Sequence, residues 1–163
     1  MAKDVHGLDE YNSCTGHLRS GIDIALSLAT QPITAMSLEG RRILLIEDAP
    51  DIREVFGVLL RVEGADVVPV ATGREALAAA DGRDFDIVLS DLGLPDIPGD
   101  VLIRQLLSRE GARRRTRVVV VTGYGEPYVT RARQAGAEVV FTKPVEWTRI
   151  LEWLEHPDLA ASA

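Results

Sequence analysis

Cysteine is nearly absent from this 163-residue chain, Cys14 being the only one. That excludes an intrachain disulfide and leaves any zinc site without thiolate partners, so a reducing, cytoplasmic compartment is expected. Basic charge is also short: 18 Lys and Arg stand against 25 Asp and Glu, for a net charge of -7. Binding a phosphate backbone needs a positive patch, so no nucleic-acid partner is expected. The one basic run, between Arg113 and Arg117, reads as a solvated loop. No apolar stretch approaches the roughly 18 to 20 residues that span a bilayer, and the N-terminus lacks a signal peptide's apolar core, so no membrane partner is expected either. What remains is ordinary globular composition, 46% apolar and 26% charged. Its length suits one domain with a full core and a short appendage.

Residues 1–40 differ in composition from the rest of the chain. They are rich in Ser, Thr, Gly and Asn, contain the breaker Pro32, and end in the turn-like Ser37-Leu38-Glu39-Gly40. Leu18, Ile22, Ala25, Leu26 and Ala29 recur at helical spacing and predict one amphipathic helix from about His17 to Thr30, unable to bury its stripe alone. The main domain is expected over 41–156, with 157–163 a frayed tail.

A regular alternation begins at Arg41. Ile43 to Ile46 predicts a buried strand ending in Glu47-Asp48, after which Asp51 is placed to N-cap a helix with Ile52, Val55, Phe56, Leu59 and Leu60 inward and Gly64 as its stop. Ala65 to Ala71 predicts a second strand, Gly73 to Asp81 a small helix, and Asp100 to Arg109 a further helix after the third strand. Val118 to Val121 predicts a fourth strand, and Pro127 opens a short helix that stops near Gly136. Val139 to Phe141 predicts a fifth. The last helix, Glu146 to His156, should turn Trp147, Ile150, Leu151 and Leu154 inward and leave Trp153 exposed beside Tyr128. Five strands alternating with helices imply an α/β fold, a parallel sheet covered on both faces, with ligands beyond the carboxyl ends of its strands.

The third strand, Ile87-Val88-Leu89, runs directly into a carboxylate, Asp91, and then into Gly93, Pro95, Pro98 and Gly99, which cannot continue a regular element. Alone, Asp91 reads as a turn residue. Glu47-Asp48 end strand one, however, Thr122 ends strand four and Lys143 ends strand five, and only a sheet could bring such distant groups together.

The strings Leu-Leu-Ile-Glu-Asp, Val-Leu-Ser-Asp-Leu-Gly-Leu-Pro-Asp, Val-Val-Thr-Gly and Phe-Thr-Lys-Pro-Val, in this order and each at a strand end, resemble the receiver domain of bacterial two-component response regulators. The resemblance covers about Arg41 to His156. It implies a flavodoxin-like five-stranded parallel sheet of order 2-1-3-4-5. It further implies that Asp91 accepts a phosphoryl group from the phosphohistidine of a sensor histidine kinase or phosphotransfer protein, that Asp48 and Asp91 bind Mg²⁺ directly, that Glu47 holds it through water, and that the Gly93 carbonyl supplies another oxygen. Lys143, aimed by a cis Lys143-Pro144 bond, would meet the phosphoryl oxygens, and Thr122 would bond to them only after transfer. The output would be contact with a downstream protein, or a homodimer, through the face of helix four, strand five and helix five. Such a domain catalyses only its own phosphoryl transfer and dephosphorylation.

The family usually places an aromatic three residues before the strand-five lysine. Val140 stands there, with Phe141 expected on the opposite face, which puts the usual aromatic coupling in doubt. Two positions that tune dephosphorylation in the family are Gly93 and Tyr124. Nothing after His156 could be a DNA-binding effector, so a stand-alone receiver, or one related to those of hybrid kinases, is expected. His17-Leu18-Arg19-Ser20 faintly matches a kinase phosphohistidine segment, but residues 1–40 cannot supply the helical hairpin such a site needs. A haloacid-dehalogenase-like phosphatase would want a second Asp where Gly93 stands, and a phosphate-cradling nucleotide site would be repelled by Glu47-Asp48-Ala49-Pro50-Asp51. The remaining alternative is a receiver-like module that binds its partner without phosphorylation.

Overall fold

The structure, a computed structural model, describes residues 37–109 and 116–156. Alternation of apolar runs with amphipathic segments gives β1 (Arg42–Ile46), α1 (Pro50–Val62), β2 (Asp66–Val70), α2 (Gly73–Ala79), β3 (Ile87–Ser90), α3 (Gly99–Leu107), β4 (Arg117–Thr122), α4 (Tyr128–Ala135), β5 (Val139–Thr142) and α5 (Trp147–Glu155). The five strands form one parallel sheet in the order β2-β1-β3-β4-β5, as the sequence implied.

Strand periodicity divides the core in two. Ile43, Leu45, Ile87, Leu89, Val119 and Val121 face α1 and α5, packing with Leu60, Ile150 and Leu154. Leu44, Ile46, Val88, Val118 and Val120 face α2, α3 and α4, packing with Ala76, Leu102, Ile103, Leu106 and Ala132. Strands buried on both faces read as continuous aliphatic runs. Leu38 is 1% exposed within the α1/α5 layer, and its N–H donates to Glu63 O, so core packing begins ahead of Arg41.

Several local expectations are corrected. Ala49, not Asp51, is the N-cap of α1, because Pro50 takes the first helical position and puts Asp51 inside the first turn. Ile52 and Val55 are 37% and 56% exposed, and with Val58 and Val62 they form an outward apolar stripe; Phe56, Gly57 and Leu60 face the sheet instead. The apolar arc of α1 is wider than the surface available to cover it. Helix α3 stops at Leu107 because Arg109 turns away to Leu77 O and the Asp81 carboxylate. Arg117 opens β4 rather than lying in a solvated loop: its Nε meets Glu138 Oε2 at 3.1 Å, and its guanidinium lies 4.1 Å from the Trp153 ring centroid. Trp153 is consequently buried, not exposed beside Tyr128. Cys14, the His17–Thr30 helix, Arg113 to Arg115 and the tail 157–163 lie outside the described residues. Among the described residues no helix is long and apolar enough to cross a membrane.

Gly99 opens α3 against the loop that follows β3. A Cβ there would lie 2.7 Å from Leu92 Cα, a backbone atom that cannot rotate away. Gly99→Ala is therefore expected to destabilise the domain by about 1 to 3 kcal/mol, read as a lower urea midpoint at unchanged slope.

Candidate functional site

Adjacent parallel strands ending in register place their following residues side by side. Ile46 pairs with Ser90 and Thr122 with Thr142, so Glu47, Asp91 and Lys143 leave the same edge of the sheet where Thr122 ends β4. Backbone bonds carry the pairing one residue further: Asp91 N donates to Ile46 O at 2.9 Å, and Lys143 N to Thr122 O at 2.7 Å. The strand order reverses between β1 and β3, the position at which such sheets open a crevice.

The side chains converge there. Lys143 Nζ lies 2.9 Å from Glu47 Oε2 and 2.9 Å from Asp91 Oδ2. The other Asp91 oxygen, Oδ1, accepts the N–H groups of Leu92 at 2.5 Å and Gly93 at 3.2 Å. Carboxylate oxygens of Glu47, Asp48 and Asp91 all lie within 4.8 Å of one another. Glu47 is buried, Asp48 exposed, and the Asp91 side chain 11% exposed, so the group opens to solvent on one side. Thr122 is fully buried and its Oγ1 accepts the Tyr124 N–H at 3.2 Å. The Lys143-Pro144 bond is cis.

Electrostatics separates the groups. Burial pushes the Glu47 carboxyl above its ordinary value, and the Lys143 ammonium only partly offsets this. Burial acts the same way on Asp91, but Lys143, the Gly93 N–H and the nearby Thr122 hydroxyl together hold its carboxyl below the usual aspartate value. Burial would depress Lys143; Glu47 and Asp91 outweigh it and raise the ammonium's pKa. Asp91 is thus an anion bridged to a fixed cation. Three clustered carboxylates against one ammonium leave net negative charge among oxygen donors only, a set that suits a hard divalent cation such as Mg²⁺.

The structure therefore brings together Glu47, Asp48, Asp91, Thr122 and Lys143, with Gly93 beside Asp91. Val140 packs toward the α2/α3/α4 layer and Phe141 toward α1/α5, on opposite faces as expected. One neighbour, Arg53, went unrecognised in the sequence, and one position named there, Tyr124, makes a contact that was not foreseen. Arg53 Nη1 donates to Glu47 O at 2.6 Å and Asp48 O at 3.0 Å, pinning the acidic loop. A cation in the first turn runs against the helix dipole, and that mismatch is the signal that could have drawn attention to it. The Tyr124 ring lies over Gly93: a Cβ on Gly93 would sit 2.9 Å from Tyr124 Cε2. No spacing rule announces that contact.

Comparison with known proteins agrees with this geometry. The family described as response regulator receiver domain matches residues 43–155. Transcriptional regulatory protein TcrA of Mycobacterium tuberculosis is 37% identical over 108 residues, covering 66% of this chain and 42% of that protein. The chain spans less than half the length of the curated relatives it matches. Among solved structures, a CheY-like receiver domain protein from Methanospirillum hungatei superposes with a TM-score of 0.67 at 29% identity, covering 74% of this chain and 96% of the other. The receiver domain of sensor histidine kinase PA1611 from Pseudomonas aeruginosa, described with a magnesium ion coordinated in its active site cleft, gives 0.61 at 31% identity over 69% of this chain and 95% of its own.

Proposed function

This chain belongs to the response regulator receiver domain family, and on that premise we propose that it is a phosphorylation-operated switch with Asp91 as the acceptor. The observation that carries the reading is the position of Asp91: one oxygen on Lys143, the other on two backbone amides, with Glu47 and Asp48 alongside. An Asp91 oxygen attacks phosphorus in a donor phosphohistidine; the P–O bond forms as the P–N bond breaks, and the imidazole leaves with the electron pair. Lys143 places a fixed positive charge against the phosphoryl oxygens, and Leu92 and Gly93 N–H groups hold the carboxylate in position. Glu47, Asp48, Asp91 and the Gly93 carbonyl would hold Mg²⁺, which when bound supplies charge that offsets the carboxylates and the arriving anion.

After transfer the Thr122 hydroxyl turns to the new oxygens, altering the loop it now anchors through the Tyr124 N–H. The altered surface is read by a protein partner, or by a second copy, at the face of α4, β5 and α5. The donor is a sensor histidine kinase or phosphotransfer protein. This is a signalling domain, not an enzyme acting on a metabolite.

The test is intact mass after incubation with acetyl phosphate. The expected result is a gain of one phosphoryl group in Mg²⁺ and none in EDTA. No mass gain in either condition would leave the unphosphorylated binding module as the better account.

A further inference from the structure

The ring of Tyr124 lies against Gly93, whose N–H is bonded to Asp91 Oδ1. Its own N–H is bonded to Thr122 Oγ1. One tyrosine thus touches the surroundings of the acceptor by its side chain and the switching hydroxyl by its backbone. It is 46% exposed, so the ring has solvent to move into. Gly123 and Gly125 flank it, and a Cβ on either would meet nothing within 4 Å, so no neighbour clamps the loop at these two positions.

The other edge of the ring leads outward. Tyr124 and Tyr128 have ring centroids 4.9 Å apart. The Arg131 guanidinium lies 6.0 Å from the Tyr128 centroid, and its Nη2 is 3.1 Å from Asp100 Oδ2. Asp100 is 7% exposed, sits in the first turn of α3, and also meets Arg104 at 3.5 Å. The series Gly93, Tyr124, Tyr128, Arg131, Asp100 is therefore continuous from the acceptor loop to the seam between α3 and α4. Strand β5 offers no comparable group, because Val140 is aliphatic and Phe141 is buried on the other face.

We propose that the Tyr124 ring, rather than a β5 side chain, reports the state of Asp91, and that Tyr128 with the Arg131–Asp100 pair carries its movement to the α3/α4 edge. The inference rests on the reading of Asp91 as acceptor. When Thr122 Oγ1 is drawn to a phosphoryl group, the Tyr124 backbone it holds is drawn with it, the ring leaves Gly93, and Tyr128 loses or changes its packing partner.

The test uses the full chain labelled with 3-fluorotyrosine, which places one probe at each of its three tyrosines. Resonances are assigned with Tyr124→Phe and Tyr128→Phe, and beryllium fluoride with Mg²⁺ serves as the phosphoryl stand-in. In the wild type, ligand should shift both Tyr124 and Tyr128. In Tyr124→Ala, with the bound beryllofluoride signal present, the ligand-induced shift of Tyr128 should be lost. In Gly93→Ala without ligand, the new Cβ should displace the ring and move Tyr128 toward its liganded position. A Tyr128 shift in Tyr124→Ala equal to the wild type, or a Tyr128 resonance in Gly93→Ala identical to the unliganded wild type, overturns the relay. Absence of any bound beryllofluoride signal in the wild type overturns the acceptor reading, and the relay with it.

Discussion

Asp91→Asn is expected to abolish phosphorylation outright while leaving the fold intact. The asparagine keeps an oxygen where Oδ1 accepts the Leu92 and Gly93 N–H groups; its NH2 replaces the oxygen that accepted from Lys143, and the partly exposed ammonium keeps Glu47 as a partner 2.9 Å away. What disappears is the carboxylate anion, the nucleophile itself, and with it the charge of one of the three clustered carboxylates. Intact mass should show no gain with acetyl phosphate and Mg²⁺, and the circular dichroism spectrum should match the wild type. A phosphorylated Asn variant would place the acceptor elsewhere.

Lys143→Met should be the next most damaging change. It removes the only cation bonded to both Glu47 and Asp91 among the described residues, leaving two carboxylates facing each other at the sheet edge. Loss of one preorganised positive group directed at developing charge costs on the order of 10²- to 10³-fold in rate, and a reduction of that size is expected in the rate of phosphorylation by acetyl phosphate.

The same substitution carries a signature in stability against pH, measured as urea midpoints in metal-free buffer. Asp91 is held below 3.8 in the fold, so its pairing with Lys143 contributes fully above the unfolded-state value and is lost as pH falls through the lower folded value. Lys143 is raised above 10.5, so the same pairing is complete below 10.5 and lost as pH climbs through the folded value. Glu47 runs the other way. Its carboxyl is raised above 4.5, so the fold loses stability as pH rises from 4.5 through the folded value. The gap between wild type and Lys143→Met should therefore be present at neutral pH and close in strong acid.

How much of this was legible in the chain depends on which contacts are local. The parallel sheet was readable because its strands are short, largely aliphatic runs alternating with helical segments, and because polar residues follow every run that reaches the site edge; its order came from the family resemblance. The gathering of Glu47, Asp91 and Lys143 at one sheet edge was likewise expected, whereas the direct contacts of Lys143 with Glu47 and Asp91 come from the structure. Trp153 was misread for the opposite reason. It stands at the margin of the inward stripe of Trp147, Ile150, Leu151 and Leu154, and the structure packs it into the α1/α5 layer with the Arg117 guanidinium from β4 over its ring, a contact that no period encodes. Ile52 and Val55 show the same limit: a helix wheel gives the arc of apolar residues, and only the packed sheet decides how much of it is covered. Arg53 and Tyr124 act through a backbone carbonyl and a glycine, neither of which leaves a mark in side-chain pattern.

The central claim is that the phosphoryl group resides on Asp91, and reduction of the phosphorylated protein with sodium borohydride tests it most directly. Borohydride converts an acyl phosphate to an alcohol, so peptide mapping by mass should find homoserine in place of aspartate at Asp91 and at no other carboxylate. Homoserine at Asp48, or a phosphoryl group that survives borohydride on a histidine or hydroxyl side chain, would contradict the account.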